Sequence, residues 1–221
     1  MPRRALLIVA TLCALLHLYI GLRLIPAMAL GGTGAALAIG LLAASALLVP
    51  AGLSTASLKR LRWAEQLTWA ALLAMGLFSS LLVLTVLRDG ALLIMAAVGV
   101  GAGGGAFVRA SAFGVPLMAV AVSLVGLVNA RRLARVVEVE VPIAGLPDAF
   151  HGYSIVQISD IHVGPTIKRG YLNAIVSRVN ALEPDAIAIT GDLVDGSVAR
   201  LAAHTAPLER LAARDGTFFV T

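Results

Sequence analysis

Acidic side chains are almost missing from the first 130 residues of this chain. Glu65 and Asp89 stand there alone against eight bases, whereas residues 131–221 hold ten acids and nine bases. Charged residues make up only 13% of the whole and aromatics 5%, while 59% is hydrophobic and the mean hydropathy is +0.94. Such a composition excludes an ordinary soluble domain and points to membrane spans. The surplus of positive charge therefore belongs to connections between apolar helices. No basic stripe interleaved with aromatics is present, so a nucleic-acid partner is not expected. Cys13 is the single cysteine, which excludes an internal disulfide and leaves the redox compartment open. Ionisable residues are scarce in mid-span, which argues against a transport path and for a plain anchor.

About 20 apolar residues are needed to cross the hydrocarbon of a bilayer. Four segments meet that length: Ala5–Leu22, Ala27–Val49 between Pro26 and Pro50, Leu67–Leu87 with Trp63 and Trp69 near one end, and Ala112–Ala130 running into Arg131 and Arg132. His17, beside Tyr19 near the end of the first segment, is expected at the interface. Ala91–Phe107 is a further apolar stretch, but it is interrupted by Gly99, Gly101, Gly103, Gly104 and Gly105. The positive-inside rule weighs the two counts. Four spans with the N-terminus inside put eight bases (Arg3, Arg4, Lys59, Arg60, Arg62, Arg131, Arg132 and Arg135) in the cytoplasm against three outside, Arg23, Arg88 and Arg109. Five spans give six against five. Four spans, with a cytoplasmic C-terminal part, fit better; five would make that part extracytoplasmic.

After Arg135 the pattern changes. Val137, Val139 and Val141 alternate with Glu138 and Glu140, predicting a half-exposed strand inside a linker over 131–152. Tyr153–Ser159 predicts a buried strand, 167–182 an amphipathic helix, Ala186–Ile189 a second strand, and Val198–Arg214 a helix interrupted at Pro207. "DGTFFVT" opens a third strand. Strands and helices in this alternation predict a parallel α/β sheet, whose ligands bind beyond the carboxyl ends of the strands. Asp160 and His162 leave the first strand there, and Asp192 leaves the second. Two carboxylates and an imidazole suit Mn, Fe or Zn better than Ca.

The D-x-H of "VQISDIHVGP" followed by the G-D-x-x-D of "AIAITGDLVDGS" resembles the opening of the calcineurin-like metallophosphoesterase family. More narrowly it resembles the bacterial branch in which several membrane helices precede the phosphoesterase domain, and "LHLYIG" and "GLVNARR" are similar too. The resemblance implies a transmembrane region over 1–130 and, over 153–221, the N-terminal part of an α/β metallophosphoesterase domain, a β-sandwich flanked by helices. It implies two divalent metal ions, with Asp160 and His162 on the first, Asp192 bridging both, and Asp195 as a carboxylate behind the ligands. The reaction implied is in-line hydrolysis of a phosphomono- or diester, with a lipid phosphate suggested by the membrane tether. The family's G-N-H-[DE] block would begin at "FFVT". On that reading the catalytic histidine lies beyond Thr221, no catalytic residue is in this chain, and these 221 residues alone are inactive.

Blander readings exist for each residue. Asp160 can cap the segment after it, His162 can be a surface residue, and Asp195 can be a turn residue or a helix N-cap beside Gly196. His151 and His204 carry no expected role, and Lys168 and Arg169 are expected to face water. The alternative to an enzyme is a non-catalytic multi-pass membrane protein with a vestigial or regulatory α/β tail.

Overall fold

A computed structural model describes residues 3–53, 63–99 and 104–220. The chain divides into two compact units, Met1–Arg131 and Arg132–Thr221. Lys59, Arg60, Arg62, Gly101 and Gly103 of the sequence reading lie outside the described residues.

Among the described residues the first unit has four helices long and apolar enough to cross a membrane: α1 Arg3–Met28, α2 Gly32–Leu53, α3 Ala64–Ala97 and α4 Gly104–Arg131. Among the described residues there is no fifth span. The stretch expected to be ambiguous is divided instead, with Ala91–Ala97 prolonging α3 and Gly104–Phe107 opening α4. Pro26 and Pro50 do not bracket a span; they sit inside the last turns of α1 and α2. A proline so near a C-terminus removes an N–H bond from an end that frays in any case. Leu24, Ile20 and Met28 of α1 pack with Ala112 and Val115 of α4. Between α2 and α3 the backbones approach closely: a Cβ built on Gly52 would stand 2.4 Å from that of Ala71. In hydrocarbon, where burial itself drives little association, such small-residue contacts hold helices together.

Two polar positions differ from expectation. His17 is buried, not interfacial. Its ring stacks on Phe78 at 4.1 Å, and Nδ1 lies 2.8 Å from the Cys13 carbonyl oxygen while Nε2 lies 3.0 Å from Ser45 Oγ. Because a carbonyl only accepts, Nδ1 donates to it, and the Ser45 hydroxyl pairs with Nε2, so both ring nitrogens are satisfied. Arg88 and Asp89, expected in a loop, lie within the continuous helix α3. That helix has 34 residues and is about 51 Å long, far more than a bilayer requires. Trp69 on α3 sits under the Arg131 guanidinium at 5.4 Å, and Asp89 follows 20 positions later, about 30 Å along the axis. The distance between those two levels equals about one hydrocarbon thickness.

In the second unit, β1 Ile155–Ser159, β2 Ala186–Thr190 and β3 Thr217–Val220 form a parallel sheet in the order β1-β2-β3. Helix α5, Arg169–Asn180, connects β1 to β2, and α6, Val198–Thr205, followed by a 3-10 turn at Ala206–Arg210, connects β2 to β3. Leu172, Val176 and Val179 recur at helical spacing on α5 and are buried, with Leu172 and Val179 packing on Ile158, Ile187 and Ile189 of the sheet. The second helix stops at Thr205 instead of continuing to Arg214, because Pro207 cannot donate into an α-helical ladder. At the other end of the sheet, Asp185 accepts from the Ser154 N–H at 2.7 Å and pairs with Arg214, while Tyr153 donates to Asp215 at 2.8 Å. These bonds tie the starts of all three strands together.

The alternation Val137–Val141 is not a strand. The segment is unpaired and its valines are exposed, Val137 at 78%. Period-2 patterning makes a strand only where another strand offers hydrogen bonds, and among the described residues none does. β3 presents an open edge, with Phe218 and Phe219 more than half exposed.

Candidate metal centre

The carboxyl ends of β1 and β2 are stitched into one ledge. His162 N–H donates to the Asp192 carbonyl at 3.0 Å, Val163 N–H to that of Leu193 at 2.9 Å, and Asp195 N–H back to that of Val163 at 2.9 Å. Val163, fully buried, and Val194 thereby pair as an isolated parallel bridge beyond the strands. This ledge brings together the loop of Asp160 and His162 and the loop of Asp192.

Asp160, His162 and Asp192 each offer one ligand atom within 4.8 Å of the others. All three side chains are exposed and open to solvent. Their backbones share one feature. Of the five non-glycine residues with positive φ among the described residues, three are these: Asp160 at 54°, His162 at 53° and Asp192 at 32°. Aspartate and histidine enter the left-handed region more readily than most residues, yet it still costs about 1–3 kcal/mol at each. Such strain persists only where the surroundings enforce it, and it gathers at binding sites.

Asp195 stands behind His162, both carboxylate oxygens lying 3.1 Å from Nδ1. A carboxylate can only accept, so Nδ1 carries the proton and Nε2 is left to face Asp192, 3.9 Å from its Oδ2. This arrangement of carboxylate, imidazole and open nitrogen is the one that orients histidine ligands on metals. With bonds of about 2.1 Å, ligand atoms around one ion sit roughly 3–4 Å apart; the 3.9 Å between His162 Nε2 and Asp192 Oδ2 lies in that range, and the donor set suits a divalent ion. Asp195 does not cap the next helix, whose N-cap position is Ser197. The Asp195 hydrogen bond, then its charge, holds the His162 imidazolium above the usual histidine range, with Asp192 and Asp160 adding to the effect. A proton therefore persists on Nε2 up to a higher pH than at a free histidine.

Two neighbours were not singled out from the sequence. The Ser159 hydroxyl bonds to Asp160 Oδ2 and lies 2.6 Å from the Thr190 carbonyl, joining the ends of β1 and β2. Gly164 leaves room for Asp195, since a Cβ there would come within 3.2 Å of the aspartate's own. Their adjacency to the motif residues was the only signal available. Lys168 precedes α5 and Arg169, exposed, opens it. His151 lies 3.8 Å from Asp148, away from the ledge.

Residues 153–221 match the family model described as calcineurin-like phosphoesterase. Over this segment the chain is similar to that family. The chain is 47% identical over 96 residues to a zebrafish (Danio rerio) transmembrane protein with metallophosphoesterase domain, covering 43% of this chain and 22% of that protein. A cattle (Bos taurus) protein of the same description is 46% identical over 99 residues, covering 45% and 22%. An uncharacterized metallophosphoesterase of Helicobacter pylori is 38% identical over 66 residues, 30% of this chain and 18% of its own length. The chain thus spans about a fifth of the length of these relatives. The similarity extends to vertebrates and is not confined to the bacterial membrane-anchored branch. No solved structure matches the chain. The calcineurin-like segment and the four apolar helices together describe a membrane protein carrying a metallophosphoesterase domain.

Proposed function

We propose that this protein is a membrane-anchored, metal-dependent phosphoesterase in which residues 1–130 form the anchor, 131–152 a linker, and 153–221 the first part of the catalytic domain. The convergence of Asp160, His162 and Asp192 at the carboxyl ends of two parallel strands carries this reading. Asp160 and His162 would hold a divalent ion of the Mn, Fe or Zn class, and Asp192 would share in holding it and a second. Asp195 keeps the His162 proton on Nδ1 and so keeps Nε2 available. Bound divalent ions supply Lewis acidity toward a phosphoryl group and acidify water. The chain's own contribution is negative charge to hold the cations, a pre-bent backbone that costs no rearrangement on loading, and an open face for a phosphomono- or diester. A membrane tether favours a phosphate borne on a lipid.

The test is hydrolysis of an activated phosphodiester by the intact protein. Chelation should abolish it and added Mn should restore it. Activity indifferent to chelator would overturn the assignment. A polypeptide of residues 1–221 supplies three ligand side chains among its described residues, too few for two ions, and should be inert in the same assay.

Arg131 at the end of α4, with Arg132 and Arg135 after it, supports a cytoplasmic catalytic domain under the positive-inside rule. With Cys13 replaced by alanine, a cysteine at Val98 should react with an impermeant thiol reagent on intact cells, and one at Val137 should not; both positions are exposed. The opposite pattern would place the domain outside.

A further inference from the structure

One end of the four-helix unit carries more positive than negative charge. Arg23 of α1, Arg88 of α3 and Arg109 of α4 gather there against Asp89 alone. The unit's other acid, Glu65, lies about 36 Å away at the start of α3. The connections at that end, 29–31 and 98–103, contain no charged residue.

Arg88 is the least solvated of the three, its side chain only 6% exposed. Nε donates to Ser111 Oγ at 3.0 Å, Nη2 to the Val108 carbonyl at 3.0 Å, and Nη1 to Asp89 Oδ1 at 3.3 Å. Those bonds use three of the five N–H donors of a guanidinium. Asp89 cannot neutralise Arg88 by itself, because its other oxygen already accepts from Arg23 at 2.6 Å and Tyr19 at 2.7 Å. A groove of about 330 Å³ between α3 and α4 opens onto Arg88. Leu84, Val115 and Met118 line it on the hydrocarbon side of Arg88, and Leu92 and Phe107 on the other.

We propose that this groove binds an anionic phospholipid of the surrounding bilayer, with its phosphate on Arg88 and one acyl chain along Leu84, Val115 and Met118. Arg88 stands 19 positions along α3 from Trp69, about 28 Å, so with that indole at one interface Arg88 falls near the lipid phosphates of the other. A phosphate offers paired oxygens to the two remaining N–H groups, the bidentate geometry guanidinium favours. The unbalanced arginines then select a lipid of net negative charge over a zwitterionic one, by about fivefold for each basic side chain engaged. The site lies wholly within the helical unit and is independent of the metal centre.

The experiment is native mass spectrometry of the full protein in neutral detergent, titrated with phosphatidylglycerol or phosphatidylcholine. Phosphatidylglycerol should bind at least fivefold more tightly. Gly114→Leu should abolish that preference by filling the groove. Gly114 lines it, a Cβ there meets nothing within 4 Å, and the variant leaves every bond of Arg88 in place. Arg88→Gln should also abolish it, and if that variant does not fold, Gly114→Leu still decides. Equal binding of the two lipids, or a preference that survives Gly114→Leu, would overturn the proposal.

Discussion

Replacing Asp192 in the intact protein should remove phosphoesterase activity by about a thousandfold or more. A carboxylate between two ions serves both, so its loss removes several kcal/mol of electrostatic stabilisation at the phosphoryl group, and each 1.4 kcal/mol is tenfold in rate. The backbone dictates the choice of variant. With φ at 32°, Asp192 occupies a region in which alanine costs about 1–2 kcal/mol, whereas asparagine enters it readily. Asp192→Asn should therefore be as inactive as Asp192→Ala but closer to wild type in thermal stability. Asp160→Asn and His162→Ala should lose most of the activity. Asp195→Asn should lose about 10–100-fold, since it reorients a ligand without removing one. Manganese binding by calorimetry should fall in the same order. A folded Asp192→Asn protein with wild-type turnover would refute the centre.

The largest effect on stability is expected at Asp89. Its carboxylate accepts from Tyr19, Arg23 and Arg88, tying α1 to α3, while Arg88 in turn bonds Ser111 and Val108 of α4. Asp89→Ala leaves the buried Arg88 guanidinium without its counter-charge, a class of change that costs about 3–5 kcal/mol. Arg23→Gln removes a partner whose side chain is 49% exposed and should cost about 1 kcal/mol or less. Tyr19→Phe removes one hydrogen bond and should cost about 1 kcal/mol. The double change Asp89→Leu with Arg88→Leu should be far milder than Asp89→Ala, because it removes both charges together. Denaturant unfolding in micelles measures all four. An Asp89→Ala protein within 1 kcal/mol of wild type would show that Arg88 is neutralised by something other than this carboxylate.

The sequence disclosed whatever depends on neighbours along the chain. Runs of about 20 apolar residues are long enough to cross hydrocarbon, and three of the four lie inside single long helices, while Ala27–Val49 begins in the last residues of α1 and crosses the connection at 29–31 before entering α2. The spacing of Leu172, Ile175, Val176 and Val179 is that of a helix face, and α5 lies where it was expected. Apolar runs ending in D-x-H and G-D place three polar side chains on loops leaving strands. Once those strands pair in parallel, with Ile155 opposite Ala186, the loops must meet.

Tertiary structure decided the rest, because those features depend on partners far away in sequence. The Val137–Val141 alternation met no strand to bond. His17 was drawn inside because Ser45 and Phe78, on two other helices, complete its environment. Arg88 and Asp89 read as loop residues because charge is costly in lipid, yet a helix can carry them where Tyr19, Arg23 and Ser111 converge from neighbouring helices. The left-handed backbone at Asp160, His162 and Asp192 suits residue types that tolerate it, but neither type nor period dictates it. It arises from the cross-strand bonds that hold the two loops together, a constraint that exists only once the sheet has formed.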